Sequence, residues 1–317
     1  MMLLIPLVVV AGGSYGTRKD VADYIEDVAQ AHGFDANQLK SLLGAVAFRK
    51  DIIDRISRPA EKVWTWGRYK RVLVDEQRVV EGAKFWRAHR ETLSRAEEVY
   101  GVAPEVVVAI IGIETRYGRI TGSFPVLESL MTLGFDYPAR AGFFRKELTE
   151  FLLLAREEGK DPTALNGSYA GAMGYGQFIS SSYRHYAVDF DRDGVRDIWH
   201  NPVDAIGSIA NYFHKHRWQG GHPRALRVRL SRPITGLSTA LDQTERVSDY
   251  LALGVIAPSL PTDLTARLYE VEGENGTEHW LALHDFYVIT RYNRSHLYAL
   301  AVHHLADLIK SRYVSEK

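Results

Sequence analysis

Val106–Val107–Val108–Ala109–Ile110–Ile111–Gly112–Ile113–Glu114 opens with eight residues of which seven are aliphatic, and it ends on a carboxylic acid. Such an apolar run predicts a buried segment, yet an ionised carboxylate is costly to bury. Apolar surroundings raise the pKa of a glutamic acid because desolvation penalises its charged form. An acid that stays protonated near neutral pH is suited to general acid catalysis. The alternative is a helix end at which Glu114 pairs with Arg116 or Arg119 at the surface.

The composition is typical of a globular protein and excludes several kinds of chemistry. The 317 residues suffice for one large domain or two, with 46% apolar and 25% charged residues. Lysine plus arginine equals aspartate plus glutamate at 39 each, and no basic run is present, so no nucleic-acid partner is predicted. The absence of cysteine excludes disulfides, thiolate nucleophiles, cysteine–zinc sites and a lipid anchor on cysteine. The sequence therefore predicts no stable membrane anchor.

The first fourteen residues have the pattern of a secretory signal peptide. The apolar run Leu3–Val10 is followed by the small residues Ala11–Ser14, as in a cleavage zone. The run is too short for a transmembrane helix. No lysine or arginine precedes it, so a buried first strand and a mis-assigned start codon stay open as alternatives. Of these alternatives, we favour a signal peptide that spans residues 1–14.

Apolar spacing predicts that most of the chain is helical, with a few strands late in the sequence. A glycine-rich loop at 167–178 holds four glycines in twelve residues, which indicates a close approach of its backbone to another group. Alternating patterns at Arg227–Leu230 and Ala266–Val271, with a turn at Gly273–Gly276, predict strands. The predicted helices are Arg18–His32, Asp75–Tyr100, one that begins at Pro104 and carries Glu114, Pro138–Glu158, Gln177–Tyr186, Pro202–His216 and Leu297–Ile309. The predicted fold class is mainly α (α+β).

Four motifs follow one another along the chain. They are Gly112–Ile113–Glu114–Thr115–Arg116–Tyr117–Gly118, the glycine-rich Gly167–Phe178, Pro202–Phe213, and Thr290–Arg291–Tyr292–Asn293. In sequence and order they resemble the membrane-bound lytic transglycosylase B family of peptidoglycan-cleaving enzymes. The similarity runs from about Thr17 to Val302.

The resemblance implies a lysozyme-like helical core and a division of the chain into five parts. After the signal peptide at 1–14, these are an N-terminal helical region at 15–100 and the catalytic core at 101–223. A small β-containing domain follows at 224–288, and a C-terminal segment at 289–317 completes the core.

The resemblance also implies that Glu114 is the sole catalytic acid and base. Most glycosidases use two carboxylates, whereas here the substrate would supply the second group. Glu114 would protonate the oxygen of the β-1,4 bond between N-acetylmuramic acid and N-acetylglucosamine, while the muramoyl acetamido carbonyl stabilises the anomeric centre. Glu114 would then take a proton from the C6 hydroxyl, which closes a 1,6-anhydro ring without water. The alternatives are a hydrolytic muramidase and a catalytically idle peptidoglycan-binding scaffold.

The family's substrate-binding residues transfer to eight positions of this sequence. Aromatic faces pack on the apolar faces of sugar rings, while hydroxyl and amide groups supply hydrogen bonds. Where the family often has another groove tyrosine, this chain has Phe143, which we leave outside the site. The implied substrate-binding residues are Ser168, Gln177, Tyr69, Met173, Tyr212, Tyr292, Asn293 and Tyr298.

An aspartate-rich loop at 189–200 matches an EF-hand calcium loop at positions 1, 3, 5, 6 and 9. Its twelfth position, which should be a bidentate acid, is His200, so Asn201 or Asp204 would have to compensate. No cofactor is expected to be required, and a structural calcium ion is weighed against a turn held by its own hydrogen bonds. The tentative ligands are Asp189, Asp191, Asp193 and Asp197.

The family's substrate sets the expected partner and location. Peptidoglycan glycan strands are the expected partner, and the location is expected to be the periplasm or cell envelope, in soluble form. Contacts with cell-wall synthesis proteins are left open by the sequence.

Overall fold

The computed structural model describes residues 15–57, 64–237, 240–242 and 245–316. The predicted signal peptide at 1–14 lies outside the described residues. Contacts between Cα atoms divide the chain into two compact units. The first unit holds 1–59, 122–173 and 177–185, and the second holds 60–121, 174–176 and 186–317. The five-part division expected from the sequence stays a prediction.

Helices make up most of the described residues, and the strands are short. The helices are α1 Lys19–His32, α2 Ala36–Gly44, α3 Lys50–Ile56, α4 Trp66–Leu73, α5 Glu76–Ala88, α6 Arg90–Tyr100, α7 Pro104–Thr115, α8 Val126–Asp136, α9 Ala141–Glu157, α10 Ser180–Tyr186, α11 Pro202–Lys215, α12 Val247–Ala252, α13 His284–Tyr292 and α14 His296–Ser315. The strands are β1 Phe124–Pro125, β2 Asn166–Gly167, β3 Ala225–Leu230, β4 Glu245–Arg246, β5 Val255–Ile256, β6 Thr265–Gly273 and β7 Gly276–Ala282. The predicted class, mainly α with a small β-containing insertion, is confirmed.

In the first unit, α8 packs along α9, and α1 packs on α2. The backbone N–H of Arg49, the N-cap of α3, donates to Thr132 Oγ1 at 3.1 Å and ties α3 to α8. Strand β1 pairs with β2, with Phe124 opposite Gly167. This pairing fixes the start of the glycine-rich loop.

In the second unit, α7 is the central helix. Its residues from Pro104 to Gly112 are all buried, so no polar stripe is needed along it. Helix α14 packs on α5 and α7, and α11 packs on α6. Pro104 occupies the first turn of α7, as the sequence predicts, because a proline there loses no intrahelical hydrogen bond.

The predicted helix Asp75–Tyr100 is wrong in one respect, because the structure divides it into α5 and α6. His89 lies between them with φ −117° and ψ 27°, outside the helical region. Its N–H donates to Phe85 O at 3.0 Å and its carbonyl accepts from Leu93 N at 2.9 Å. One residue thus ends one helix and begins the next, and apolar periodicity does not detect so short a break.

A five-stranded antiparallel sheet in the order β4–β6–β7–β3–β5 forms the β-containing part of the second unit. Tyr269 of β6 is opposite Trp280 of β7, and the predicted turn at Gly273–Gly276 connects these two strands. Val247, Leu268 and Leu281 are fully buried in its core.

Candidate active site

Glu114 lies in the last turn of α7, at the boundary between the buried run and the surface. Its side chain is partly exposed, whereas Val106 to Ile111 are fully buried. The two arginines considered as surface partners pair with other carboxylates: Arg116 contacts Asp75 Oδ2 at 3.3 Å, and Arg119 contacts Glu81. The acid therefore lies where a catalytic group is held by a rigid helix and still reaches solvent.

Tyr298 is the direct partner of the acid. Its hydroxyl donates to Glu114 Oε1 at 2.5 Å, and the residue is 2% exposed. Ser295 caps α14 by accepting from Tyr298 N at 3.3 Å, which fixes the backbone at this point. Burial and the neighbouring Glu114 charge raise the pKa of Tyr298, so its hydroxyl stays protonated and remains a donor.

Tyr292 and Tyr212 continue the aromatic cluster beside Glu114. Burial, followed by the Glu114 charge, raises the pKa of Tyr292. The Tyr292 hydroxyl donates to the carbonyl of Gly176, where a Cβ would lie 2.8 Å from that hydroxyl. The rings of Tyr212 and Tyr292 meet edge to face at 4.8 Å, and the Tyr212 hydroxyl donates to Arg291 O at 2.6 Å.

Tyr69 of α4 reaches the same cluster. It is 2% exposed, and it contributes to raising the pKa of Tyr298. The ring of Trp64 packs against it at 6.0 Å, edge to face. The structure therefore places Tyr292 and Tyr298 beside Glu114, and Tyr69 close to Tyr298.

The chain directly after Glu114 is strained. Arg116, Tyr117 and Gly118 all have positive φ, at 47°, 61° and 83°. For a residue other than glycine, such a conformation costs roughly 1–3 kcal/mol. Thr115 Oγ1 holds the turn by donating to Tyr175 O at 3.0 Å and accepting from Gly118 N at 3.0 Å.

Arg78 braces the same turn from α5, and sequence reasoning did not identify it. It is 5% exposed, and its guanidinium donates to Gly112 O at 3.1 Å and to Val72 O at 2.7 Å. Asp75 Oδ2 accepts from Arg78 at 2.5 Å. Nothing in the local pattern distinguishes this arginine from an exposed helical one, because the Gly112 carbonyl that it contacts lies 34 residues along the chain.

Three predicted substrate-binding residues belong to the first unit. Ser168 Oγ accepts from Ala172 N at 3.0 Å, but a hydroxyl that accepts can still donate its own proton. Gln177 has φ 50°, a strained value, so α10 begins only at Ser180 and not at Gln177 as predicted. Met173 is fully buried, and its backbone pairs with Phe178 at 2.8 and 2.9 Å. Contact of these side chains with substrate stays a prediction.

Asn293 closes α13 in the second unit. Its N–H faces Ile289 O at 3.5 Å, and its carbonyl accepts from Ser295 N at 2.7 Å. This places it between the two helices that carry Tyr292 and Tyr298. Its predicted hydrogen bond to substrate also stays a prediction.

In the aspartate-rich loop, Asp189, Asp191 and Asp204 each bring a carboxylate oxygen within 4.8 Å of the others. Asp204 is fully buried in the first turn of α11, and burial raises its pKa. Asp193 and Asp197 are not in this group. Their carboxylates accept from backbone N–H groups of the loop, from Val195 at 2.8 Å and from Trp199 at 2.9 Å.

A family model described as "Transglycosylase SLT domain" matches residues 16–307. This chain belongs to the SLT transglycosylase family. This chain is 40% identical over 310 residues to the membrane-bound lytic murein transglycosylase B of Escherichia coli, and the match covers 94% of this chain and 84% of that protein. This chain is therefore a lytic transglycosylase, as the sequence motifs predict.

Solved structures of relatives have the same fold as this chain. The soluble lytic transglycosylase SltB1 of Pseudomonas aeruginosa is 46% identical with a TM-score of 0.88, covering 92% of this chain and 99% of that one. Slt35 of Escherichia coli, in complex with calcium, is 39% identical with a TM-score of 0.88 and 96% coverage of each chain. SltB3 of Pseudomonas aeruginosa, in complex with NAG-NAM-pentapeptide, is 32% identical with a TM-score of 0.81. The match covers 92% of this chain and 79% of SltB3. The predicted lysozyme-like core is confirmed.

Among the described helices of this chain, none combines the length and the hydrophobicity needed to cross a bilayer.

Proposed function

We propose that this lytic transglycosylase cleaves the β-1,4 bond between N-acetylmuramic acid and N-acetylglucosamine in peptidoglycan, with Glu114 acting first as acid and then as base. The observation that carries the proposal is the contact of 2.5 Å between the Tyr298 hydroxyl and Glu114 Oε1, at the solvent end of a buried helix. The murein-cleaving name of the Escherichia coli relative and the NAG-NAM-pentapeptide bound by SltB3 support this substrate.

The protonation of Glu114 depends on two opposing influences. Apolar surroundings favour the neutral acid, whereas the hydrogen bond donated by Tyr298 favours the carboxylate. A group that serves both as acid and as base needs such a balance. In the first step Glu114 gives its proton to the glycosidic oxygen. In the second step it takes the proton of the C6 hydroxyl as that oxygen bonds to C1.

A second carboxylate at the site would favour hydrolysis. Asp75 lies beside the turn that follows Glu114, but it is paired with Arg78 at 2.5 Å and with Arg116 at 3.3 Å. Both guanidinium groups contact Oδ2 of Asp75, and its Oδ1 accepts from Arg78 N at 2.8 Å, so both carboxylate oxygens already have partners. The arrangement therefore favours the lytic reaction over the hydrolytic alternative.

The test is digestion of purified sacculi in heavy-oxygen water, followed by mass spectrometry of the released muropeptides. The lytic reaction gives 1,6-anhydro ends without heavy oxygen, whereas a muramidase adds one heavy water per cut. Heavy oxygen at every new end would refute the proposal in favour of hydrolysis. Sacculi digested in parallel by a hydrolytic lysozyme are the control.

The Glu114→Gln variant separates an enzyme from a scaffold. It keeps the shape of the side chain but cannot give or take the proton, so turnover is expected to disappear while sacculus binding persists. Wild-type protein that binds sacculi and releases no muropeptides would instead support the idle scaffold.

We propose that the substrate groove is lined by aromatic side chains together with amide and hydroxyl groups. The tyrosines would pack against sugar rings, and the amide and hydroxyl groups would hold the acetamido groups. Measurement of KM for each alanine variant on soluble glycan strands tests this assignment. The set is Tyr69, Tyr212, Tyr292, Tyr298, Asn293, Ser168, Met173 and Gln177.

We also propose that the aspartate-rich loop holds a structural calcium ion. Asp189, Asp191 and Asp204 offer hard oxygen ligands, which calcium prefers. Asp204 would then supply the acidic ligand that His200, at the twelfth position of the loop, does not supply. The Slt35 complex with calcium supports a site in this family. The ion would stabilise the loop and take no part in bond cleavage.

We propose a periplasmic location, because peptidoglycan lies there and residues 1–14 have the pattern of a signal peptide. Fractionation of a bacterial host that expresses the full chain tests this proposal. Retention in the cytoplasm would contradict it.

A further inference from the structure

We propose that Tyr117 is a positioning residue that fixes the strained turn after Glu114 and thereby aims the acid at its substrate. The proposal rests on the proposed role of Glu114. It concerns a residue whose side chain faces away from the reaction, between two helices.

Tyr117 occupies a slot that two glycines leave open. A Cβ at Gly82 of α5 would lie 2.5 Å from the Tyr117 hydroxyl, and a Cβ at Gly112 of α7 would lie 2.5 Å from the same atom. Real Cβ atoms do not approach other atoms so closely, so any larger residue at either position would displace the ring. The slot therefore admits Tyr117 only because both positions are glycine.

The ring is held at both ends. Its hydroxyl donates to the carbonyl of Arg78 at 2.7 Å, and the ring of Phe85 packs against it at 5.6 Å. Burial raises the pKa of Tyr117, which keeps the hydroxyl a donor. A side chain fixed in this way fixes its own backbone.

The backbone of Tyr117 in turn closes α7. Tyr117 N donates to Ile111 O at 3.3 Å, and Arg116 N donates to Gly112 O at 3.2 Å. The last turn of a helix frays when its carbonyls lack partners. Because Glu114 lies in that turn, loss of the closure would let the carboxylate move away from Tyr298.

The strained backbone explains why the Tyr117 side chain has to be held in place. Two successive residues other than glycine, Arg116 and Tyr117, have positive φ, which persists only where surrounding contacts impose it. Once the ring leaves the slot, the turn is free to relax to an ordinary conformation. The acid would then lose its fixed direction without any change in the substrate-binding tyrosines.

The decisive variant is Gly82→Ala, which changes no residue of the turn. The new methyl group pushes against the Tyr117 hydroxyl, and also against Ile309 Cδ1 at 2.6 Å. We expect kcat to fall by about ten- to a hundredfold, as small misplacements of catalytic groups do, with KM within about twofold. Gly142→Ala is the matched control, since Gly142 is also helical and a Cβ there meets nothing within 4 Å. It is expected to keep wild-type kcat and KM.

A second variant distinguishes the slot from general damage to the core. Tyr117→Phe removes the atom that the new methyl group strikes, so the double variant Gly82→Ala/Tyr117→Phe is expected to recover part of the lost kcat. Independent effects would multiply instead. The pH profile of kcat/KM adds a readout that a lower fraction of folded protein does not move. If Glu114 leaves Tyr298, its carboxylate loses a hydrogen bond and the alkaline limb moves to higher pH.

The outcomes separate the two proposals. Wild-type kcat in Gly82→Ala, or losses that multiply in the double variant, would overturn the positioning role of Tyr117 and leave the role of Glu114 intact. Full activity of Glu114→Gln would overturn the proposed function itself. If Gly82→Ala does not fold, Tyr117→Ala compared with Tyr117→Phe tests the same point, and equal kcat in these two would refute it.

Discussion

The Tyr298→Phe substitution isolates the hydrogen bond that the structure places on the acid. It removes one oxygen atom, and with it the donor 2.5 Å from Glu114 Oε1, while the ring keeps its buried position. A hydrogen bond to a charged group contributes about 1.5–3 kcal/mol. Since this bond favours the carboxylate, its loss favours the protonated acid.

The expected effect appears in the pH dependence of kcat/KM. The acid must be protonated to begin the reaction, so activity falls as the pH rises through the pKa of Glu114. At 1.36 kcal/mol per tenfold change, the loss of the bond moves this alkaline limb to higher pH by about one to two pH units. Entry of a water molecule into the vacated position would reduce the effect toward the lower value.

The assay is release of soluble muropeptides from sacculi at fixed enzyme concentration across the pH range. Tyr292→Phe is the matched control, because the Tyr292 hydroxyl donates to the carbonyl of Gly176. Its alkaline limb is expected to stay near that of the wild type, whatever happens to kcat. A limb that stays in place or moves to lower pH in Tyr298→Phe would refute the reasoning that this hydroxyl holds the carboxylate.

Two further predictions concern stability. Calcium is expected to raise the melting temperature of the wild type and EDTA to lower it, whereas Asp204→Asn should remove most of this difference; an equal calcium response in the variant would exclude Asp204 as a ligand. Burial lowers the pKa of His304 to about 4, so in the folded state this side chain stays neutral while in the unfolded state it binds a proton below about pH 6.5. Its contribution to stability is therefore lost as the pH falls from about 6.5 toward 4, and His304→Phe, which keeps the aromatic contacts with Trp66 and Trp280, should make the free energy of unfolding less sensitive to acid. Urea titrations at pH 7 and pH 5 measure this, and an unchanged difference between the two pH values would contradict it.

The sequence predicted the helices whose signals are local. Helix α1 ends where Gly33 takes φ 66°, and α11 begins at Pro202, because a glycine stop and a proline start act within a few residues. The division at His89 and the late start of α10 were missed for a different reason. At His89 the i to i−4 hydrogen bonds continue across the break, from His89 N to Phe85 O and from Leu93 N to His89 O, so a single residue divides the helix. At Gln177 the conformation accompanies the pairing of Met173 with Phe178 on either side of it.

The same distinction applies to the candidate site. Glu114 was identified from the contrast between an apolar run and its terminal acid, which is a property of adjacent residues. The pairing of Glu114 with Tyr298 spans 184 residues, and it was not predicted. The resemblance to a known family implied only that Tyr298 lines the substrate groove. Asp204 was considered only as a replacement for His200. Its carboxylate belongs to the acidic group because the first turn of α11, which carries Asp204, lies beside the loop.

The turn after Glu114 shows most clearly what a local pattern does not contain. In the sequence, Gly82 and Gly112 are single glycines inside helical patterns, where glycine is unfavourable by about 1 kcal/mol relative to alanine. Each by itself predicts only a weaker helix. The structure gives both the same reason, since each leaves room for the hydroxyl of Tyr117. The two helices therefore give up stability at positions 30 residues apart so that one side chain can hold a strained turn. That relation becomes visible only when α5 and α7 are side by side, and it ties the precision of the acid to residues that never contact it.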